Sequence, residues 1–269
     1  YRGAAQEIDK AVALIDRASG RVARVDARDR QLFAGVLVAW RRVRLSQSWL
    51  AGVALDHERF VSPSAIPARN RNALRSAWTL NSSRLYGYSI SSEDGIRSTA
   101  TIERVTPALG ADGSATSATV DLRAYLPGGP LHSVVAVRLA SGVSTGDPAA
   151  RRVFSLGGST TLTSPFDFGY REIGMMRGIP IDSRVGAAVA VANLDYRFPL
   201  ARIERGFRTW PIFVNSLHGA VFADAGAAGA TLGSMGVPLF STGVEIASDV
   251  TLGYSQPFTV ALGTAWAHD

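Results

Sequence analysis

The sequence has no cysteine and a single lysine, Lys10. Without cysteine, disulfides, thiolate nucleophiles and cysteine–zinc sites are excluded together. Charge is scarce: 19% of residues are charged, against about 25% in an ordinary soluble domain. The net charge of +6 rests on scattered arginines with local pairs at Arg41-Arg42 and Arg151-Arg152. They form no stripe with interleaved aromatics, so nucleic acid is not an expected partner. Long hydrophobic runs are missing too. The longest candidate, Val185 to Leu194, is broken by Asn193 and followed by Asp195, well short of the ~20 apolar residues of a membrane helix. His57, His132, His218 and His268 have no His-x-His or His-Glu-x-x-His neighbours, so neither a metal nor a cofactor is expected. Tyr1-Arg2-Gly3 opens no signal peptide, and the chain is therefore expected to begin inside a longer polypeptide or after processing.

What the sequence does hold is apolar residues, 46% of the chain, with 27 glycines and 12 prolines. A mean hydropathy of +0.11 without a spanning helix leaves two architectures. One is a large soluble core; the other is a barrel whose apolar residues are spread one in two along many strands. Period-two alternation recurs along the chain. Phe258, Val260, Leu262 and Trp266 fall on one face, with Thr259, Ala261, Gly263 and Ala265 on the other. Val244, Ile246, Val250, Leu252 and Tyr254 alternate with a row that contains Glu245 and Asp249. Val120, Leu122 and Leu126 alternate with Asp121, Arg123 and Tyr125, and after Pro127-Gly128-Gly129-Pro130 the pattern resumes at Val135, Val137 and Leu139. Further strands are predicted at about 31–43, 48–59, 73–81, 85–91, 96–105, 185–198 and 212–224, with pieces around 153–165 and 172–180. The expected fold is all-β, with about twelve strands in this chain; only residues 4–17 have helical character.

Short turns (Asn81 to Arg84, Pro127 to Pro130, Ser255 to Pro257) alternate with longer links at 60–72, 106–117, 141–152 and 225–238. Such asymmetry fits a transmembrane antiparallel β-barrel of the outer membrane. A soluble β-sandwich also alternates apolar and polar positions. Against it stand the small residues and paired charges of the non-apolar faces. Aromatics near strand ends (Trp40, Trp49, Tyr125, Tyr254, Phe258, Trp266) further suggest a membrane-interface girdle.

Candidate chemistry is thin, and the chain is not expected to be an enzyme. Gly142-Val143-Ser144-Thr145-Gly146 fits G-x-S-x-G, but Asp147-Pro148 follows where a nucleophile elbow needs a helix. Gly226, Gly229 and Gly233 have the wrong spacing for a phosphate loop. Asp56-His57-Glu58-Arg59 reads as solvated charge at a strand end. One constellation remains. The stretch Phe168 to Arg184 interrupts the strands with an apolar loop that carries Arg177. Asp195, opposite the apolar face of Leu194, Tyr196 and Phe198, points to a barrel lumen; Asp224 follows a less decisive alternation. A guanidinium folded into a lumen needs acidic partners, and two carboxylates can receive its fork of donors. The plainer alternative is three unrelated surface charges.

These residues resemble a family. "LGGSTT" at 156–161, with the pair Gly157-Gly158, "MRGIP" at 176–180, "ANLDYRFPL" at 192–200 and "AVFADAGAAG" at 220–229 occur in order. Order and spacing resemble the bacterial surface antigen family, the outer-membrane assembly and translocation superfamily of BamA, TamA and the two-partner-secretion transporters. Residues 86–95 and the arginines of 41–44 resemble, more loosely, members with an upstream TolB-like propeller. The resemblance implies a barrel of sixteen strands in the full protein. Its inward-folded loop, here around 166–182, would carry Arg177, Gly178, Ile179 and Pro180, with Asp195 and Asp224 as the arginine's acidic partners. Ile179 stands where an aromatic is usual, Asp195 where Glu is commoner, and the chain does not end on an aromatic. Residues 30–269 are then the barrel and 1–29 a leading segment, either the tail of an upstream region or first strands. The implied role is insertion or translocation of proteins or lipids at the outer membrane of a Gram-negative bacterium. Implied partners are outer-membrane lipid and lipopolysaccharide, client outer-membrane or secreted proteins, and a periplasmic domain of the same polypeptide. A passive porin or structural barrel is the alternative, and a soluble β-rich binding domain the third reading.

Overall fold

The computed structural model describes residues 2–15, 22–62, 68–129, 132–158, 170, 172–206, 208–253 and 255–268, with side chains from Arg28 onward except Ser62. Tyr254 and loop residues 159–169 and 171 lie outside the described residues. The elements in chain order are β1 (Arg2–Ile15), β2 (Val22–Arg42), β3 (Leu45–Ser62), β4 (Arg69–Asn70), β5 (Ala73–Asn81), β6 (Gly95–Val105), β7 (Ala115–Pro127) and β8 (Val134–Gly146). They continue with β9 (Phe154–Leu156), β10 (Arg184–Gly186), β11 (Ala188–Gly206), β12 (Ile212–Gly229), β13 (Leu239–Leu252) and β14 (Gln256–His268). Twelve strands form one sheet in the order β1-β2-β3-β5-β6-β7-β8-β11-β12-β13-β14, with β4 on β3; β9 and β10 pair as a separate ribbon. Every pairing is antiparallel and between chain neighbours, except that β3 pairs with β5 past the two-residue β4, and β8 pairs with β11 across the loop 147–187.

Register turns the alternation into two faces of opposite character. One carries Val36, Val38, Trp49, Leu74, Ile102, Val120, Leu139, Leu194, Val221, Val244 and Leu262, all exposed. The other buries Asp56, Glu58, Arg75, Glu103, Thr119, Ser144, Asp195, Asp224 and Ser241. A soluble sandwich hides its apolar face under a second sheet. Here the polar face is the covered one, and among the described residues nothing covers the apolar face. The sheet is inside out with respect to water, as lipid requires.

The loops differ at the two ends. At one end Val43-Arg44 joins β2 to β3, 128–133 joins β7 to β8 and 253–255 joins β13 to β14, with one longer connection, 82–94, between β5 and β6. The opposite end carries 106–114, 230–238 and the loop 147–187. Several local expectations need correction. Of residues 4–17, expected to be helical, 4–15 are not: Arg2–Ile15 is a strand paired along its length with β2, and 16 and 17 lie outside the described residues. An alanine-rich segment with weak periodicity takes the structure its neighbour's unpaired backbone offers. Residues 85–91 are no strand either. The chain from 82 to 94 is a loop whose ends bridge at Arg84 and Asp94, so Asn81 to Arg84 opens a long connection instead of closing a short turn. Tyr86, Gly87 and Tyr88 suit strand or turn by composition; what decides is the turn closed by Ser89 N–H on the Tyr86 carbonyl. Of the pieces around 153–165 and 172–180, the first is a strand only at Phe154–Leu156 among the described residues, and the second is turns with one bridge, Gly158 to Met176.

Candidate functional site

The described residues of the loop 147–187 lie on the polar face and bring their own core. Phe154, Leu156, Tyr170, Ile173, Met176 and Ile179 pack with Ala140, Val189, Val191, Ala228 and Leu239. This explains an apolar loop between strands: its side chains bury against the small, inward residues of β8, β11, β12 and β13. Ile179 is buried at 7% exposure, so a branched aliphatic fills the position without an aromatic ring.

Arg177 sits at the turn that this core supports. Its backbone N–H donates to Asp224 Oδ2 at 3.0 Å, Nε donates to the same oxygen at 2.9 Å, and Nη2 donates to Asp224 Oδ1 at 2.7 Å. Nη2 also donates to Asp195 Oδ1 at 2.5 Å. The guanidinium carbon lies 3.8 Å from the Phe222 ring centroid, within cation–π range. Ser241 Oγ donates to the Arg177 carbonyl at 2.5 Å, and Arg197 Nη2 donates to the second oxygen of Asp195 at 2.6 Å. Register explains the convergence. Asp195 pairs with Phe222 and Asn193 with Asp224, which makes the two carboxylates diagonal neighbours on one face. Asp224 in turn pairs with Ser241. Burial alone would lower the Arg177 pKa, but the hydrogen bond to Asp224 and the charges of both carboxylates outweigh it and hold it above the usual value.

Two glycines make the loop's path possible. Gly178 has φ +75°, and a Cβ there would sit 2.8 Å from Ala265 Cβ on β14. Gly157 has φ +112°, and a Cβ there would overlap the Pro180 carbonyl oxygen; its neighbour Gly158 donates to the Ile179 carbonyl at 2.9 Å. Gly157→Ala is therefore expected to destabilise the loop by about 1–3 kcal/mol. The temperature at which heat-modifiable gel migration is lost reports it, and an unchanged temperature would reject the close approach.

A second cluster lies beside the loop's entrance. Glu103, with no exposed side-chain surface, accepts from Arg75 Nε at 2.5 Å and Arg71 Nη2 at 2.8 Å. From the loop, Arg152 donates to both Glu103 oxygens, at 2.9 and 2.7 Å. Arg75 also pairs with Asp56, and Arg152 stacks 3.9 Å from the Tyr170 ring centroid. Burial pushes the Tyr170 hydroxyl's pKa up. This corrects half of the reading of Asp56 to Arg59 as solvated charge: His57 and Arg59 are exposed, but Asp56 and Glu58 are each 5% exposed, and Glu58 pairs with Arg69. The signal lay in the alternation, which puts Asp56 and Glu58 opposite exposed Leu55. Arg75 sits directly across from Glu103 in the register. Between the clusters, Arg138 Nη2 donates to the Glu172 carbonyl at 2.5 Å.

The remaining candidates divide. Trp40, Trp49, Phe258 and Trp266 are exposed on the apolar face. Trp49 pairs in register with Trp78, which pattern reading missed, and donates to Ser76 Oγ at 2.5 Å. Tyr125 does not join them: it pairs with Gly95 and Ala136 on the face of Asp121 and Arg123, because it falls on the other parity from Leu126. Ser144 is buried against Ser117 Oγ at 2.8 Å, a polar-face contact and no nucleophile elbow. Among the described residues no group of His, Asp or Glu is arranged to hold a metal ion.

The fold matches solved structures at low identity. BamA from Haemophilus ducreyi lacking POTRA domains 1–3 aligns with a TM-score of 0.58 and 12% identity, over 98% of this chain and 59% of that one. CdiB from Escherichia coli aligns at 0.55 and 11%, over 99% and 50%. The chain thus spans between half and three-fifths of these relatives. No curated protein matches it by sequence. The family model of the Omp85 superfamily domain matches residues 39–256. With that match over most of its length, the chain belongs to the Omp85 superfamily, and its inside-out antiparallel sheet is a transmembrane β-barrel of that family.

Proposed function

We propose that this chain is the barrel of an outer-membrane protein of a Gram-negative bacterium that assists the insertion or translocation of other proteins, or of lipids. The domain comprises residues 30–269, with β1 and the start of β2 as leading strands, and the loop around 166–182 folds inward with Arg177 held by Asp195 and Asp224. Client outer-membrane or secreted proteins, lipopolysaccharide and a periplasmic domain of the same polypeptide are the partners this reading calls for. The observation that carries it is the apolar packing of Tyr170, Ile173, Met176 and Ile179 against the polar face. A passive pore needs an open, water-lined constriction; a loop with a dry core of its own acts as a plug held in place. No covalent chemistry is involved: a barrel of this kind works through strand edges and loop placement.

The test uses the full-length protein in proteoliposomes. Urea-denatured barrel clients are expected to acquire heat-modifiable migration several times faster with it than in empty vesicles. A steady open conductance with no effect on client folding would return the chain to the passive-porin reading.

A further inference from the structure

The barrel's arginines are used unequally at its two ends. At the end with the long loops most guanidiniums are engaged: Arg69 with Glu58, Arg71 and Arg152 with Glu103, Arg104 with Thr116, and Arg184 with the Val237 carbonyl, Arg59 and Arg151 being exceptions. At the end with the short turns, Arg41, Arg42 and Arg44 around the β2–β3 turn, and Arg205 and Arg208 around the β11–β12 turn, are exposed. None of these five guanidiniums has an ion-pair or hydrogen-bond partner among the described residues. Acidic groups nearby are mostly spent. Asp94 pairs with Arg84, and Glu93 pairs with His132; Glu204 is exposed between the arginines of the second turn.

The free charges sit among apolar side chains. Trp40, 46% exposed, precedes Arg41, and Val43 between the arginines is fully exposed. Leu200, Ile203 and Trp210 are likewise exposed around Arg202, Arg205 and Arg208. Arg202 is engaged, stacked on Tyr88 of the 82–94 loop at 4.6 Å. Uncompensated guanidiniums next to exposed aromatic and aliphatic groups, at the edge of a lipid-facing surface, match a boundary where apolar chains give way to phosphates.

We propose that the short-turn end of the barrel binds the headgroups of anionic phospholipids in the leaflet it meets, through Arg41, Arg42 and Arg44 at one turn and Arg205 and Arg208 at the other. The inference rests on the membrane-barrel reading. Bidentate donors suit phosphate oxygens, and the apolar neighbours continue the lipid-facing side, which favours a lipid over an acidic protein.

The experiment takes full-length protein from mixed micelles containing equal phosphatidylglycerol and phosphatidylcholine and measures the ratio of retained lipids. Wild type is expected to retain phosphatidylglycerol on the order of ten-fold over phosphatidylcholine at low salt, less at high salt. R41Q/R42Q/R44Q and R205Q/R208Q should each lower the ratio, and the corresponding lysine variants should keep most of it. Heat-modifiable migration of each variant controls for folding. A heat-modifiable wild type without the preference overturns this inference alone. So does a preference that neither glutamine variant changes, and the arginines would then belong to an acidic protein surface. A wild type that is not heat-modifiable overturns the membrane reading and this inference with it.

Discussion

Replacing Arg177 by alanine is expected to destabilise the barrel by about 3–5 kcal/mol, the range for breaking a buried ion pair from one side. Asp224 has no exposed side-chain surface and takes three of its hydrogen bonds from Arg177, one of them from the backbone, which survives the substitution. Asp195 keeps Arg197 as a partner. The loss therefore falls mainly on Asp224. Arg177→Lys should recover little, because one ammonium cannot serve two carboxylates in the geometry of the fork. Asp224→Asn should couple strongly to Arg177→Ala in a double-mutant cycle read by urea unfolding in detergent, and Asp195→Asn more weakly. Strict additivity of Arg177→Ala with Asp224→Asn would remove the contact from the account.

Glu103→Gln is expected to be at least as severe. Its carboxylate is the common acceptor of Arg71, Arg75 and Arg152. A neutral amide leaves three guanidiniums facing one another with only Asp56 to share, and it offers one acceptor oxygen in place of two. The heat-modifiable form should be lost or appear only at low temperature. Adding Arg152→Gln should restore part of it, because the second change removes a cation that the first left unbalanced. A Glu103→Gln protein as stable as the wild type would mean that the cluster is hydrated and that its buried appearance carries no energy.

The strands were legible because one residue in two had to be apolar, and a lipid-facing surface enforces that pattern along the whole chain. Arg177, Asp195 and Asp224 were legible for a related reason: charges on the inward parity must meet. Glu103 was equally inward in the pattern, but its three partners come from a strand neighbour, a linker and a loop, and no short-range spacing connects Arg152 to it. Tyr125 shows the converse. An aromatic near a strand end looks like a girdle residue until parity is applied, and parity assigns it to the polar side. Residues 4–17 and 85–91 failed where local preference was weak enough for pairing, or a single turn, to decide.

The loop's fastenings have a geometric meaning for the barrel as a whole. Arg152 ties the loop to Glu103 on β6, and Arg177 ties it to Asp224 on β12. Between those strands lie β7, β8 and β11, so the loop subtends four interstrand steps, an arc of about 19 Å at the usual strand spacing. The line between the two arginines, along which Phe154, Leu156, Tyr170, Ile173 and Met176 pack together, is the chord of that arc. A chord of set length under an arc of set length defines a radius, and the loop thereby gauges the curvature of this part of the wall.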